Sequence, residues 1–580
     1  MLSPPFVLLD DARSGGKARL YRNPVRVLEA RDPAAVRDLL DAIRGSGLHA
    51  AGFLAYAAAA AFEPTRPPPP EGALLAWFGL FERWEPVDAA ALLPDAAGAH
   101  VGPARPLIHR AEYDRRFAEV QALIAAGDIY QANLTFPATV AITGDPLAAY
   151  AGLRARAAAG WGAVVATGAA TILSLSPEMF FALDAGVLTA RPMKGTARRA
   201  EEPAADRAAA AALAADAKQR AENLMIVDLL RNDLSRVAEP GSVATPALFE
   251  VETYPSLHQL TSTVAARLAP GKDAVDMLAA AFPCGSITGA PKLRAVEALA
   301  AIEGAPRGVY TGAIGRIDAD GDAQFNVAIR TLAIAEGTAM IGLGGGIVAD
   351  SNADAEWDEA IAKGAFLTQG QRGVDLVETM AFDPIAGLAL LERHLARMKA
   401  SAEMLGLPFD RHATRNELQA ATFRLRTAHR VRLLLGPTGR IAIEVGPPRP
   451  TPGAAVPVAI RPLPLSPGDY RLRHKVALRD FWAAARDPNA FETVFTDREG
   501  RLTEGSFTNV FVERDGRLLT PPLALGLLPG VLRAELIDTG RAVEAELTPA
   551  DLRDGFLIGN AARGLIRAFV AVAKEPSAPL

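Results

Sequence analysis

Lys194 sits between Met193 and Gly195 in TARPMKGTARRA, directly after the apolar run FFALDAGVL. An ammonium where a strand runs into a tight turn is either an ordinary basic loop residue or a group kept for chemistry. These residues alone leave both readings open. Carboxylates supply the next clue. Glu356, Glu359 and Lys363 in AEWDEAIAKGAFL are spaced i, i+3, i+7, which puts them on one helix face. A solvated salt-bridge face is the plain alternative. Glu222 begins the apolar stretch ENLMIVDLL, where burial is expected, and a lone buried carboxylate needs a partner or a metal. Two or three helix carboxylates with water and a ligand oxygen suit octahedral magnesium.

Two small-residue segments, GGG at 344–346 and CGSITGAPK at 284–292, are expected as turns whose bare N–H groups receive a carboxylate or phosphate. In QFNVAIRTL, alternation puts Phe325, Val327 and Ile329 on one strand face and Asn326 and Arg330 on the other. That leaves Arg330 free to pair a second carboxylate. The implied ligand is a small dicarboxylate held by magnesium, arginine and glycine amides. The last third holds a different set. LALLERHLARMKASAEML puts Leu391, His394, Leu395 and Met398 on an apolar stripe with Arg397 beside it. GLLPGVLR carries Pro529 and Gly530 at an expected helix start, a phosphate cradle. LTEGSFTNVFV places the acid Glu504 between strand-like segments, where it invites a cation.

The elements that must position these groups fall into more than one domain, since 580 residues predict two to four. Residues 1–105 carry strand-like FVLLDD and ALLAWFGLF and a proline loop, PTRPPPP at 64–70, and read as a weakly marked first part of the first domain. Strands and helices alternate over a catalytic core at 106–368; the alanine-rich stretch DRAAAAALAADAKQRAENLMIVDLLRNDL reads as helix. Residues 369–375, within LTQGQRGVD, form a linker, and 376–580 a second domain. The fold class is α/β (α+β).

Charge is nearly balanced, 61 basic against 66 acidic residues, so no nucleic-acid partner is expected. The start, MLSPPFVLLDDARSGG, does not read as a signal peptide. The run AAGFLAYAAAAAF at 50–62 is too short to span a bilayer. A single cysteine, Cys284, excludes an internal disulfide and points to a reducing cytoplasm. Eight scattered histidines without HExxH or CxxC argue against zinc. The expectation is a cytoplasmic enzyme.

Nine segments recur in this order in one family: GDIYQANLTF, LSPEMFF, RPMKGTARR, AENLMIVDLLRNDLSRV, VETYPSLHQLTSTV, FPCGSITGAPKLRAVE, GVYTGAIGRID, IRTL and GGGIVADSNADAEWDEAIAK. Over roughly 107–367 the chain thus resembles the chorismate-utilising enzymes, which include anthranilate, isochorismate, salicylate and aminodeoxychorismate synthases. The resemblance implies that fold, chorismate as substrate and Mg2+ held by Glu222 and Glu359 with Glu356 close by. Members that add water carry a lysine where this chain has Gln131, so glutamine implies amination. Lys194 in the third place of its turn resembles the aminodeoxychorismate synthases; anthranilate synthases typically have alanine there. By resemblance Lys194 attacks ring carbon 2 and expels the 4-hydroxyl, and ammonia then enters at carbon 4. A free lysine is neutral in only about one part in a thousand near pH 7.4, so burial or a positive neighbour, with Arg191 a candidate, must assist. Glu178 is the implied general acid/base and His258 a possible assistant. Thr288, Tyr310, Arg330, Gly345, Gly346 and Lys363 match substrate-holding positions. Such enzymes receive ammonia from a glutamine amidotransferase with a cysteine nucleophile; Cys284 reads as a packing residue, so a separate subunit or free ammonia is expected.

RHKVALRDFW, GRLTEGSFTNVFV, PPLALGLLPGVLRAEL and IGNAARGL, over about 374–570, resemble class IV pyridoxal-phosphate enzymes: branched-chain and D-amino-acid aminotransferases and aminodeoxychorismate lyase. By that resemblance Lys475 bonds the cofactor aldehyde, Glu504 pairs the pyridine nitrogen, and Arg397 with the amides near Val531 and Leu532 holds the phosphate. One departure is Leu478 before Arg479, where the family often has asparagine. Members are commonly homodimers. The joint output implied is 4-aminobenzoate, the folate precursor. The alternative is an anthranilate-type enzyme with an aminotransferase-like or non-catalytic tail.

Overall fold

The structure is a computed structural model that describes residues 2–63, 68–254 and 257–571. Residues 64–67 of the proline loop, 255–256 of the VETYPSLHQLTSTV segment and 572–580 of the second domain lie outside the described residues. The chain forms two compact units. The first comprises Met1–Pro94, Gly102–Ala141 and Tyr150–Gly370; the second comprises Asp95–Val101, Ile142–Ala149 and Gln371–Leu580. The change of unit at 370–371 falls within the segment read as a linker. Two short pieces that a boundary near 370 assigns to the first part, Asp95–Val101 and Ile142–Ala149, group instead with the second unit.

The first unit is built on two ten-stranded sheets. Val7, Val165 and Ile172 of one and Phe53, Trp77, Phe81 and Ile314 of the other fill one buried cluster, so the sheets pack face to face. Helices Pro33–Arg44, Ala217–Ser235 and Ala274–Ala281 cover the outer face of the second sheet through Val36, Ile226, Leu230 and Leu278. With both faces covered, strands such as Ala76–Phe81 are buried at every position and lose the alternation of a half-exposed strand. The weakly marked residues 1–105 supply strands to both sheets, Phe6–Asp10 and Ala18–Arg22 to one and Arg26–Ala30, His49–Leu54 and Ala76–Phe81 to the other.

Three local expectations change. The alanine-rich stretch is two helices, Pro203–Ala215 and Ala217–Ser235, because the Asp216 carboxylate accepts a hydrogen bond from the Gln219 N–H and starts a new helix. GGG at 344–346 is not a turn but part of strand Thr338–Ile347, paired with Asn133, Leu134 and Thr135. The strand containing Asn326 ends at Val327, and Arg330 takes a left-handed φ of 49° before the next strand. The alternation read through QFNVAIRTL therefore does not reach Arg330.

The second unit holds a four-stranded sheet, ordered Gly387–Leu388, Leu376–Asp383, His429–Leu435, Ile441–Gly446. Helix Leu391–Leu405 packs on it through Leu395, Met398 and Leu405. An eight-stranded sheet runs from Leu502–Gly505 to Ala542–Glu544 and mixes parallel with antiparallel pairs. Among the described residues no helix is long and apolar enough to cross a membrane.

Two candidate active sites

In the first unit, polar side chains converge over the glycine strand. A Cβ at Gly346 would stand 3.1 Å from Lys194 Nζ, 3.1 Å from Gln131 Nε2 and 2.9 Å from Asn133 Oδ1. The missing side chains, rather than free amides, make room for the site. Gln131 is buried and neither atom of its amide has a hydrogen-bond partner among the described residues. A buried amide left unpaired is costly, which suits a group that a ligand completes. Lys194 Nζ lies 3.5 Å from Glu222 Oε2. Over Gly345, a Cβ would meet Glu356 Oε2 at 3.2 Å and Lys363 Nζ at 3.4 Å. Lys363 in turn pairs with Glu359 at 2.8 Å and donates to the Gly344 carbonyl at 3.0 Å.

Glu178, just before strand Met179–Asp184, is buried and accepts a 2.7 Å hydrogen bond from Ser286 Oγ. Burial pushes its carboxyl up to about 7, against opposing pulls from Ser286 and the Lys194 charge. A carboxyl poised there can both give and take a proton near neutrality. Arg330 packs over the Phe366 ring at 6.0 Å and has no carboxylate partner among the described residues; burial lowers its guanidinium pKa. Tyr310 lies against the strand, where a Cβ at Gly342 would meet its ring at 1.9 Å, and desolvation raises its hydroxyl to about 12. Thr288 is buried with its hydroxyl donating to the Gly285 carbonyl at 3.2 Å.

Several sequence expectations find different surroundings. Glu222 does not begin a buried helix: the helix starts at Ala217, and the half-buried Glu222 takes Lys194 as its partner. Arg191 pairs with Glu252 at 2.7 Å and Glu250 at 3.7 Å, so its charge is spent there. His258 has both ring nitrogens engaged, with Thr253 Oγ1 at 3.0 Å and Asp206 Oδ1 of helix Pro203–Ala215 at 2.9 Å. Cys284 is buried, with its thiol pushed up to about 12 chiefly by desolvation. No three acidic, imidazole or thiol groups among the described residues converge to chelate a cation by themselves. The Glu356 carboxyl is nevertheless raised by burial and by the Glu359 charge. Glu359, against desolvation, is lowered by the Lys363 charge. Neighbouring helix acids fit Mg2+, which takes one or two carboxylates and completes its shell with water and ligand oxygens.

The second unit contains a cavity of about 400 Å³ lined by Lys475, Glu504, Arg397, His394, Arg479 and Val531, among others. Lys475 is anchored by its backbone, whose carbonyl accepts from the Val377 N–H at 2.9 Å. Desolvation, with Arg397, Arg479 and Arg432 nearby, lowers its ammonium to about 7 despite Glu378. Glu504 is buried, accepts one hydrogen bond from the Leu528 N–H at 3.1 Å, and is raised to about 8 by desolvation. Helix Val531–Asp538 begins at Gly530 with no side-chain cap, so the first amides, at Val531 and Leu532, are left for another acceptor. A Cβ at Gly530 would lie 1.8 Å from Asn509 Oδ1, which explains the glycine. Arg397 binds Glu378 at 2.5 and 2.8 Å and the Pro529 carbonyl at 3.0 Å. The exposed Leu478 is not among the cavity-lining residues, whereas Arg479 is.

Residues 8–369 match the family model for chorismate binding enzymes, and residues 375–568 match that for class IV amino-transferases. The chain is a chorismate binding enzyme. Aminodeoxychorismate synthase component 1 of Salmonella typhimurium is 46% identical over 254 residues, 44% of this chain and 56% of that protein. Anthranilate synthase component 1 of Streptomyces coelicolor is 40% identical over 264 residues, 45% of this chain and 52% of that one. The chain thus spans a little over half the length of these curated relatives. Anthranilate synthase component I from Streptococcus pneumoniae superposes with a TM-score of 0.54 at 27% identity, covering 63% of this chain and 93% of that one. The class IV match implies pyridoxal phosphate for the second cavity. Its lysine, its acid with a single hydrogen bond and its uncapped helix start suit an aldehyde, a pyridine nitrogen and a phosphate.

Three further side chains of this chorismate binding enzyme, two acids and one hydroxyl, hold the sites without a motif of their own. Glu378 bonds His394 Nδ1 at 2.6 Å as well as Arg397 and is held far below the usual carboxylate range, opposing desolvation. Glu492 accepts five hydrogen bonds, from Thr493, Ser506 (twice), Phe507 and Thr508, and so shapes the turn after Glu504. Ser286 holds Glu178. An acid inside an apolar strand, as in DLVETMAF or NAFETVF, was the available signal.

Proposed function

We propose that the chain converts chorismate to 4-aminobenzoate in two steps. The observation that carries the first step is Lys194 gathered with the unpaired Gln131 amide over Gly346, near the proton-ready Glu178. Lys194 Nζ attacks ring carbon 2 while Glu178 gives a proton to the departing 4-hydroxyl, which leaves as water. Ammonia then bonds at carbon 4, loses a proton, and Lys194 departs from carbon 2 with its proton restored. The product is 4-amino-4-deoxychorismate. Mg2+ would be held by Glu222 and Glu359 with Glu356 close by, and would neutralise and orient a substrate carboxylate. Arg330, Tyr310, Thr288, Gly345, Gly346 and Lys363 hold the dicarboxylate; the desolvated, unpaired guanidinium of Arg330 suits the second carboxyl.

The second unit then removes pyruvate and aromatises the ring. Pyridoxal phosphate, when bound, supplies an electron sink. Lys475, desolvated in this cavity, would carry the proton, while Glu504 would pair with the ring nitrogen and Arg397 with the Val531 and Leu532 amides would hold the phosphate. Ammonia comes from a separate amidotransferase subunit or from solution, since a buried thiol raised to about 12 is a poor glutaminase nucleophile. A homodimer in the cytoplasm is the working form.

The similarity to an anthranilate synthase component 1 supports one other reading, with anthranilate as product. Chromatography of the products from purified protein with chorismate, magnesium, an ammonium salt and pyridoxal phosphate decides. 4-Aminobenzoate with pyruvate supports the proposal; anthranilate overturns it.

A further inference from the structure

Among the described residues the carboxyl of Glu178 is tied down on one oxygen only. Its backbone is fixed from both sides: the Glu178 N–H donates to Ser176 Oγ at 3.2 Å, and the Glu178 carbonyl accepts from the Val327 N–H at 3.1 Å. Among the described residues the side chain receives one hydrogen bond, from Ser286 Oγ to Oε1 at 2.7 Å. Ser286 is itself held. Its backbone carbonyl accepts from Asn133 Nδ2 at 2.8 Å, and the Asn133 Oδ1 sits over Gly346 beside Lys194. Cys284 Sγ lies 3.2 Å from Ser286 Oγ.

These contacts form a chain along which donors can run from Cys284 through Ser286 to Glu178. The Cys284 thiol stays protonated, because burial pushes it up to about 12. Its S–H can therefore donate to Ser286 Oγ, which leaves the one serine hydrogen for Glu178 Oε1. In a neutral carboxyl the carbonyl oxygen is the stronger hydrogen-bond acceptor, a role that the serine hydrogen assigns to Oε1. The proton of Glu178 then belongs on Oε2.

We propose that Ser286 is a positioning residue that pins the Glu178 proton to Oε2, with the Cys284 thiol orienting the serine hydroxyl. The inference rests on the general-acid reading of Glu178 given above. In the step it serves, the Oε2–H bond breaks, the proton passes to the leaving hydroxyl oxygen to form water, and the carboxylate remains bonded to Ser286. No other group changes oxidation state or protonation. The serine also opposes the desolvation of Glu178, since a donor to the ionised form favours it.

The test uses the full chain and two readouts. The first is the infrared carboxyl stretch of Glu178 in the ligand-free protein, assigned by its loss in Glu178→Gln and followed against pH. The second is the pH profile of chorismate consumption at constant free-base ammonia. Ser286→Ala is expected to move the infrared midpoint up by about 0.5–1 pH unit. The alkaline limb of the rate should move with it, while kcat falls roughly tenfold. Ser286→Thr, which keeps the hydroxyl, should restore the wild-type midpoint, and Cys284→Ala should give a smaller upward shift. A Ser286→Ala midpoint equal to wild type overturns the proposal even if kcat falls, because a purely structural role would lower the rate at every pH alike. Wild-type protein that leaves chorismate untouched counts against the proposed function, and the infrared midpoint still decides the Ser286 bond.

Discussion

Lys194 and Lys475 are the same residue in opposite company. Lys194 is partly exposed and surrounded by acids: Glu222 lies 3.5 Å away, and its charge reaches Glu356, Glu359 and Glu178. Lys475 is desolvated among Arg397, Arg479 and Arg432, and its ammonium is lowered to about 7 before any ligand arrives. The second site is thus preset by its fold, whereas the first is completed from outside. The unpaired amide of Gln131 and the desolvated Arg330 say the same of the first site. A lysine kept neutral in advance suits a permanently bound cofactor. A lysine held by a carboxylate suits a step that begins only when cation and substrate claim the acids.

The largest expected effects separate the two lysines. Lys194→Ala should lower chorismate consumption by about a thousandfold or more while leaving the 410–430 nm absorbance that pyridoxal phosphate gives. Lys475→Ala should abolish that band and pyruvate release and leave chorismate consumption intact, read by chromatography of both products. If Lys194→Ala also loses the band, or Lys475→Ala also stops chorismate consumption, the comparison fails.

The carboxylates beneath the lysines should differ as well. Glu378→Gln removes a buried carboxylate and leaves the partly buried Arg397 without its counter-charge, and is expected to cost about 3 kcal/mol in urea unfolding. Glu222→Gln breaks a longer, partly exposed pair, and a change within about 1 kcal/mol is expected.

A pH series sharpens the contrast further. Uptake of pyridoxal phosphate by the ligand-free protein, read as growth of the 410–430 nm band, should quicken about tenfold per unit below pH 7 and level off above it, as the Lys475 ammonium gives up its proton. The same depressed pKa means that the unfolded chain binds more protons than the folded one between about 7 and 10.5. The contribution of this group in the ligand-free protein is therefore a stability that rises with pH across that window. An uptake rate that stays flat from pH 6 to 8 would overturn the preset lysine. The smallest effect belongs to Leu478→Asn. This exposed side chain is not among the cavity-lining residues, so stability should change by no more than about 0.5 kcal/mol and the absorbance band should stay as it is.

What could be read from the chain followed from local rules. The i, i+3, i+7 spacing of Glu356, Glu359 and Lys363 needs only helix geometry, and these residues do share helix Ala353–Ala362 and its C-cap. The start of helix Val531–Asp538 after Pro529 and Gly530 was equally local. The motifs around Lys194 and Lys475 named the family because their order along the chain is itself the signal.

Burial and partnership were decided by the tertiary structure. GGG looked like a turn because glycine tolerates turns, yet sheet pairing with Asn133, Leu134 and Thr135 made it the floor of a site. Arg191 looked available until Glu250 and Glu252, far along the chain, took its charge. Glu378, Glu492 and Ser286 gave little sign of importance because each acts through donors or acceptors that only folding brings near. The sequence by itself determined which chemical groups exist and which helices and turns they occupy, since those depend on neighbours a few residues away. Which acids stay charged, which amine is neutral and which amide waits for a ligand depend on solvent exclusion and distant charges, and only the packed sheets set those.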